Sequence, residues 1–396
     1  GERPFHGSFT EIATQHVLAP PPSIREKIPQ LSPVVEQILM IALAKDPKQR
    51  FGDVEAFAAA LAQAYSHEQE TYLPSRPSSA SVNIAPPAVL PSTPLAPPVH
   101  VTSPSRTMGN ILWICRDHAG PVYSVSWSPD GTSFASGGDD KTTRIWNTST
   151  KSLVSTKRHS HCVRSVSWSS TGVHLASAGD GQIIYRWNTV TREETKLRGH
   201  KDWIVSITWS PTGEHIVSAS KDKTVKLWGT TLLATYPEFR NHVLAVAWAP
   251  DGSRIMTAGY DQAVMIWNYH TGQPMRVFGE HTGYVRGIAW SPDGERIVAG
   301  GQDRIIRVWN AQTGRMLVSY GNHSRSVMTV AWSPDGKYIA SAGSDKTVQI
   351  WNANTGYSVF TYYGHTAAVY SLAWSPDSTR IASAGEDSTV QIWQVE

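Results

Sequence analysis

The sequence predicts an all-β seven-bladed β-propeller with four-stranded antiparallel blades, and three observations carry that prediction. First, sixteen tryptophans occur in 396 residues, and fourteen of them fall into two periodic series. Trp146, Trp187, Trp228, Trp267, Trp309, Trp351 and Trp393 are spaced by 41, 41, 39, 42, 42 and 42 residues. Trp127, Trp168, Trp209, Trp248, Trp290, Trp332 and Trp374 precede them by 19 residues in each unit, opening a Trp-Ser-Pro-Asp-Gly turn or a close variant of it. A fixed period of about 40 residues means one supersecondary unit used repeatedly. Second, each unit holds four short β-rich runs. In one of them, VMTVAW, YIASAG, TVQIWN and SVFTYY are separated by turns at Pro334 to Gly336, Ser344 to Lys346 and Asn354 to Gly356. Four strands in each of seven units describe a propeller, whose blades must stack because none covers both its faces alone. Third, only three residues follow Trp393, so the last unit lacks a fourth strand. LWICRDH (Leu112 to His118) aligns with LVSTKRH (Leu153 to His159), the end of one unit and the start of the next. Ile111 to Arg116 is therefore expected to close the ring against the strand of Trp393, removing two open sheet edges. Trp113 then has a packing role.

Polar residues repeat with the tryptophans. A His stands nine residues before the first Trp of six units, a Ser or Thr ten before the second Trp of most, and an Asp six before it in most. Full sets occur four times: His118, Ser136, Asp140 and Trp146; His200, Ser218, Asp222 and Trp228; His323, Ser341, Asp345 and Trp351; His365, Ser383, Asp387 and Trp393. Three units are broken: the second has Gly181 in place of Asp, the fourth Phe239 in place of His, and the fifth Ala299 in place of Ser. These three blades are expected to be softer, since each missing hydrogen bond is worth about 1 kcal/mol net.

From about Asn110 to Glu396 the chain resembles the WD-repeat family, although the terminal Trp-Asp of that family is Trp-Asn in most units. The resemblance implies that Asp, His, Ser and the Trp indole form a hydrogen-bonded chain in each blade. Such a chain satisfies buried polar groups and pins the loops. A Ser, His and Asp set also suggests hydrolase chemistry. Repetition at fixed spacing, with the Ser inside a strand rather than on an exposed elbow, instead describes architecture. No catalytic residue is assigned in this chain.

The first strand of each unit has apolar residues five and two positions before its Trp, as Val285 and Ile288 before Trp290. The odd separation breaks the alternation of a strand and predicts a bulge. Residues six and four before the Trp would then face one rim, the usual partner-binding face in proteins resembling this one. They are Pro121 and Tyr123, Cys162 and Arg164, Trp203 and Val205, His242 and Leu244, Tyr284 and Arg286, Ser326 and Met328, Ala368 and Tyr370. Of these, Tyr123, Arg164, Trp203, His242, Tyr284, Arg286, Met328 and Tyr370 are the candidate partner-binding residues, aromatic, Arg and Met side chains being typical of binding hot spots. Trp203, which has no place in either series, is the first choice as an anchor. Alternatively these are ordinary half-exposed strand residues. Arg164 and Arg286 also fit a reader of phosphate or acidic motifs.

Composition excludes other classes. The formal net charge is +3 with Lys and Arg scattered, so the basic footprint of a nucleic-acid binder is missing. Cys115 and Cys162 are the only cysteines, too few for a disulfide framework or a cysteine metal site. VVEQILMIALA, the most apolar window, contains Glu36 and falls short of the roughly 18 to 20 apolar residues of a membrane span. A cytoplasmic, monomeric propeller without cofactor or metal, binding a protein or peptide, is expected.

Residues 66–109 are rich in Pro, Ser and Ala without apolar periodicity, and read as a disordered linker. Residues 1–65 read as helical. Ser32 caps SPVVEQILMIALAKD, with Pro33 at its first position and Val34, Val35, Ile38, Leu39 and Ala42 on one face. A second helix starts near Asp53. GERPFHG, PPSIREKIPQLSPVVEQIL, ALAKDPKQRF and DVEAFAAAL together resemble the end of the C-lobe of a bacterial eukaryotic-type Ser/Thr protein kinase. In that family the Arg matching Arg50 pairs with a Glu at the end of the activation segment, which this chain lacks. Missing too are the Gly-rich loop, the ATP-holding Lys, the catalytic Asp and the metal-binding Asp-Phe-Gly, so these residues supply no phosphoryl transfer. ATP and Mg belong only to a complete parent kinase. The expected organisation is a truncated kinase C-lobe at 1–65, a linker at 66–109 and the propeller at 110–396. The propeller would be an interaction scaffold or sensor module at the C-terminal end of a Ser/Thr kinase. The alternative is an independent WD-repeat scaffold with no kinase parent.

Overall fold

A computed structural model describes residues 108–236 and 239–395. The kinase-like helices expected at 1–65 lie outside the described residues, as does the linker apart from Met108 and Gly109. All regular elements among the described residues are β-strands. Blade one consists of Val122–Trp127, Ser133–Gly138, Thr142–Asn147 and Ser152–Arg158, hydrogen-bonded in that order, and blades two to six repeat the plan. Blade seven contributes Val369–Trp374, Arg380–Gly385 and Val390–Gln394, and its fourth strand is Ile111–Cys115. That strand pairs antiparallel with Val390–Gln394, Ile111 opposite Trp393 and Cys115 opposite Val390. It ends one residue before the expected Arg116. Two further backbone bonds extend the clasp, from Gly109 N–H to Gln394 C=O at 2.7 Å and from Gln394 N–H to Asn110 C=O at 2.9 Å. Trp113 sets its ring edge-on against Phe134 and Trp146 of blade one, 5.7 Å from each. The closing strand thus joins blade seven to blade one.

The core lies between blades. Seven clusters of buried side chains occur among the described residues, and each draws on two adjacent blades. The cluster at the junction combines Ala382, Val390 and Ile392 of blade seven, Cys115 of the closing strand, and Val122, Trp127, Phe134 and Trp146 of blade one. Trp146, Trp228, Trp309, Trp351 and Trp393 are almost wholly buried. Three members of the other tryptophan series, Trp127, Trp209 and Trp374, bridge blades by a second means. The Trp127 indole N–H donates to Ala373 C=O of blade seven at 3.1 Å, and that of Trp209 to Ser167 C=O of blade two at 2.9 Å. An Arg six residues after three of these tryptophans lies over the next blade's ring: Arg254 over Trp290 at 4.7 Å, Arg296 over Trp332 at 4.8 Å, and Arg380 over Trp127 at 4.9 Å. This cation–π contact repeats in the sequence, yet only the structure reveals that it runs between blades.

The inner strands, one from each blade, adjoin one another in a closed circuit around the axis. Their contacts differ around the ring. Ser371, Ser124, Ser165 and Ser206 each accept a bond from the backbone N–H of the following blade, at 3.1, 3.0, 3.1 and 3.3 Å. Blade five has Gly287 at this position, and a Cβ there would fall 2.6 Å from Val330 N. Glycine is required because the neighbouring backbone comes so close.

Deleting residues 110–117 should open the ring, and the melting temperature should fall by at least about 10 °C, given roughly 2–4 °C per kcal/mol for domains of this size. Thermal denaturation followed by circular dichroism measures this; a variant melting with the parent would refute closure by this strand.

Candidate functional site

The polar sets hold the loops at one end of the ring. In blade one, His118 Nδ1 lies 2.9 Å from Asp140 Oδ2, His118 Nε2 lies 2.7 Å from Ser136 Oγ, and the Trp146 indole N–H donates to Ser136 Oγ at 2.8 Å. Asp140 also caps the adjoining hairpin, accepting from Thr142 N–H at 3.1 Å and from its hydroxyl at 2.7 Å. Its neighbour Lys141 occupies the left-handed region with φ 62°. Blade three repeats the chain through His200, Asp222, Ser218 and Trp228. Blade seven does so through His365, Asp387, Ser383 and Trp393. In blade six, His323 binds Asp345 and Ser341 at 2.8 Å each, but the Trp351 indole N–H has no partner among the described residues. This one of the four expected sets is therefore incomplete. Trp351 instead stacks on Tyr320 with ring centres 5.0 Å apart.

The broken units differ from one another. Blade two leaves Ser177 Oγ and the Trp187 indole N–H without partners among the described residues. In blade four, Trp267 still donates to Thr257 Oγ1 at 2.9 Å. In blade five, where Ala299 offers no hydroxyl, the Trp309 indole N–H reaches Glu280 Oε2 at 2.6 Å, while His281 Nε2 stands unpartnered. Substitute acceptors were not legible in the repeat pattern, and they leave blade two with the largest deficit. Ser136, Ser218, Ser341 and Ser383 have no exposed surface. Their hydroxyls are held between a His and, in three blades, an indole N–H, so no substrate can reach them as nucleophiles.

Asn replaces the family's Asp after the second Trp without losing its turn. Asn147 Oδ1 accepts from Ser149 N–H at 3.0 Å and Thr150 N–H at 2.9 Å, and Asn310 and Asn352 do likewise. A carboxamide oxygen closes such a turn as well as a carboxylate does.

The bulge expected in the first strand occurs in all seven blades. Pairing between inner and second strands skips one residue each time: Tyr123, Arg164, Val205, Leu244, Arg286, Met328 and Tyr370. All seven line one cavity of about 660 Å³ at the mouth of the central channel. Trp203, Tyr284 and Ala368, from the positions six before Trp, line it too, together with Lys221, Tyr260, Ser344 and Glu386 from the hairpin turns. His242 does not. Its Nδ1 lies 2.6 Å from Lys221 C=O and its ring stands edge-on to Tyr260 at 5.5 Å, so it packs behind two lining residues. Pro121, Cys162 and Ser326, also six before their Trp, stand outside the cavity, so the position four before Trp lines it in every blade and the position six before it in only three. Sequence reading missed Arg325, Thr329 and the serines Ser124, Ser165 and Ser206 of the lining.

Within the mouth, Arg164 forms a two-pronged pair with Asp180 at 2.8 and 3.0 Å, its guanidinium 4.2 Å from the Tyr123 ring centre and 5.0 Å from that of Trp203. Lys221 Nζ sits 3.6 Å from the Trp203 ring centre. Tyr123 and Tyr370 approach at 5.4 Å, and Tyr260 stacks on Tyr284 at 5.1 Å. Burial pushes the phenols of Tyr123 and Tyr370 up, with help from Asp139 and Glu386 respectively, so both remain protonated donors. Burial and a hydrogen bond to Asp139 push the Cys162 thiol up to about 11, which makes it a donor and not a nucleophile. Among the described residues no group of His, Cys, Asp or Glu is arranged to hold a metal ion, and no helix is long and apolar enough to cross a membrane.

Seven bladed units closed by a strand that precedes the first of them, with one lined axial mouth, define a repeat propeller. The WD domain, G-beta repeat model matches seven segments, residues 109–147, 150–188, 191–229, 231–268, 272–310, 314–352 and 356–394, and the chain belongs to this WD40 family. It is 46% identical over 41 residues to mouse (Mus musculus) WD repeat-containing protein 1, covering 10% of this chain and 7% of that protein. Similarity to the probable cytosolic iron-sulfur protein assembly protein Ciao1 of Anopheles gambiae is 51% over 39 residues, 10% of this chain and 11% of that protein. Similarity to the serine/threonine-protein kinase PknJ of Mycobacterium tuberculosis is 33% over 81 residues, 19% of this chain and 14% of the kinase. The chain thus spans about a seventh or less of the length of these relatives.

The His and Asp pairs make stability depend on pH. Burial opposes ionisation of Asp387, but hydrogen bonds from His365, Thr389 and the Thr366 backbone outweigh it and hold the carboxyl down at about 2; Asp345 is lowered in the same way. A carboxylate whose folded pKa lies below its unfolded value of about 3.9 stabilises the fold above that value, and the contribution is lost as pH falls through the folded pKa. The Asp387→Asn variant should therefore cost about 1–3 kcal/mol at pH 7, with the penalty shrinking from pH 4 toward pH 2 in urea titrations. A penalty independent of pH would contradict this. In native-state hydrogen exchange, blade two should be the least protected blade; slower exchange there than in blades three and seven would refute the ranking.

Proposed function

We propose that this chain works as a protein-interaction module whose axial mouth receives a peptide segment of a protein partner. One observation carries the reading: the bulge residues of all seven blades converge on a single cavity together with Trp203, Tyr260 and Tyr284. Residues re-aimed by a bulge and held on stiff inner strands form a preorganised surface, which limits the entropy lost on binding. Membership in the WD40 family supports an interaction role, as does the absence of any accessible nucleophile in the repeated polar sets. The propeller would be the C-terminal part of a Ser/Thr protein kinase whose catalytic core lies outside this sequence. The kinase-like motifs of residues 1–65 and the partial similarity to PknJ support that parentage. The matches to WD repeat-containing protein 1 and Ciao1 favour the second reading, an independent scaffold. The intact mass of the native product, captured with an antibody against the propeller, separates them: a kinase parent requires a species far heavier than 43.4 kDa.

Selection of a random phage-displayed peptide library on the propeller tests the site. Binders should emerge that lose at least about 30-fold in affinity with Trp203→Ala or Tyr284→Ala, the scale of a hot-spot residue. Binders indifferent to both substitutions, when melting temperatures are unchanged, would refute the mouth as the binding site.

A further inference from the structure

The charges lining the mouth are unevenly distributed, and this bears on what enters it. Four cations line the cavity, Arg164, Lys221, Arg286 and Arg325, against one carboxylate, Glu386. Arg164 is already neutralised by Asp180. The remaining cations come from blades three, five and six, and none has a carboxylate within ion-pair distance among the described residues. Arg286 and Arg325 are both exposed. Arg286 approaches the Met328 sulfur, at 4.0 Å, the Tyr284 ring, 5.6 Å from its centre, and the neighbourhood of Tyr370, and none of these is a carboxylate. The acidic groups gather on the opposite arc, with Asp139 bonded to Tyr123 and Glu386 near the Ala368 backbone N–H at 3.4 Å. The mouth is therefore polarised across its diameter, with uncompensated positive charge over blades three to six.

Resting on the reading of the mouth as a peptide site, we infer that its occupant is an acidic segment of a protein partner, with several Asp or Glu side chains lying over the arc from Lys221 to Arg325. Two features favour separated carboxylates over a single phosphate. The three unpaired cations are spread over blades three, five and six, a distribution that suits successive carboxylates along an extended chain. The Tyr260 and Tyr284 stack lies between Lys221 and Arg286 in blade order and offers an apolar platform to side chains interspersed with the acids. Confined charges of one sign also steer an oppositely charged segment toward the mouth and raise the association rate. Glu386 and Asp139 repel the same segment on the far side, which fixes its placement.

The peptides selected on the propeller are sequenced, then titrated by fluorescence anisotropy against the parent, Arg286→Glu, Arg325→Glu and, as a control, Arg315→Glu at an exposed hairpin of blade five. Mouth-dependent peptides should be enriched in Asp and Glu. They should lose at least about tenfold in affinity with either mouth substitution and little with Arg315→Glu, and should weaken as NaCl is raised. Replacing their acids by Asn and Gln should abolish binding. Peptides that need Trp203 and Tyr284 but are neutral or basic, or bind only when phosphorylated, would overturn the acidic-segment inference and leave the mouth as the site. Absence of any mouth-dependent peptide would overturn both.

Discussion

A four-stranded blade has two apolar faces and can cover neither by itself, so the burial of one blade depends on the next, around the ring and back to the first. All seven buried clusters among the described residues bridge two blades, and the one at the seam is completed by Cys115 and Trp113 of the closing strand. The tryptophan series divide this work. The second series fills the gaps between sheets, each such ring on the scale of about 3–5 kcal/mol if truncated. In the first series Trp127, Trp209 and Trp374 tie adjacent blades through indole N–H bonds, and Trp127, Trp290 and Trp332 receive the Arg contacts, which include the seam where the ring closes.

Closure also dictates where recognition residues stand. Seven inner strands gathered around an axis cannot keep regular pairing at their crowded ends, and each skips one residue against its neighbour. The skipped residue is free of the core pattern and turns toward the axis, so the sequence can vary there without loss of the blade. Tyr, Arg, Val, Leu, Arg, Met and Tyr occupy these seven positions, whereas Val or Ile always occupies the residue just before. The hairpins framing the mouth are held by Asp carboxylates that bind a His on one side and their own turn on the other. Rigid loops and variable side chains are thus produced by the same repeat.

Much of this architecture was legible because it repeats. The period of the tryptophans gives seven blades, the match of LWICRDH to LVSTKRH gives the closing strand, and the spacing of Val285 and Ile288 gives the bulge. Reading was weaker where a contact depends on the individual blade. Glu280 replaces the missing hydroxyl of blade five, and Trp351 lacks the bond that its repeat position implies; no spacing rule distinguishes these cases. The mouth was half legible. The residues four before each Trp were found, whereas of those six before it Trp203, Tyr284 and Ala368 line the cavity and His242 packs behind Lys221 and Tyr260. Arg325 was missed because it lies outside the strand, in a loop whose direction the repeat does not encode.

The central claim is that recognition takes place at the axial mouth, and the tryptophan indoles provide a direct view of it. Trp203 is the one indole that lines the cavity, while both repeat series lie within or between blades. In a nitrogen–proton correlation spectrum of the propeller, addition of a selected peptide should shift the Trp203 indole resonance and leave those of Trp146, Trp228 and Trp393 in place. Shifts confined to residues of the outer strands, with Trp203 unmoved, would contradict the account.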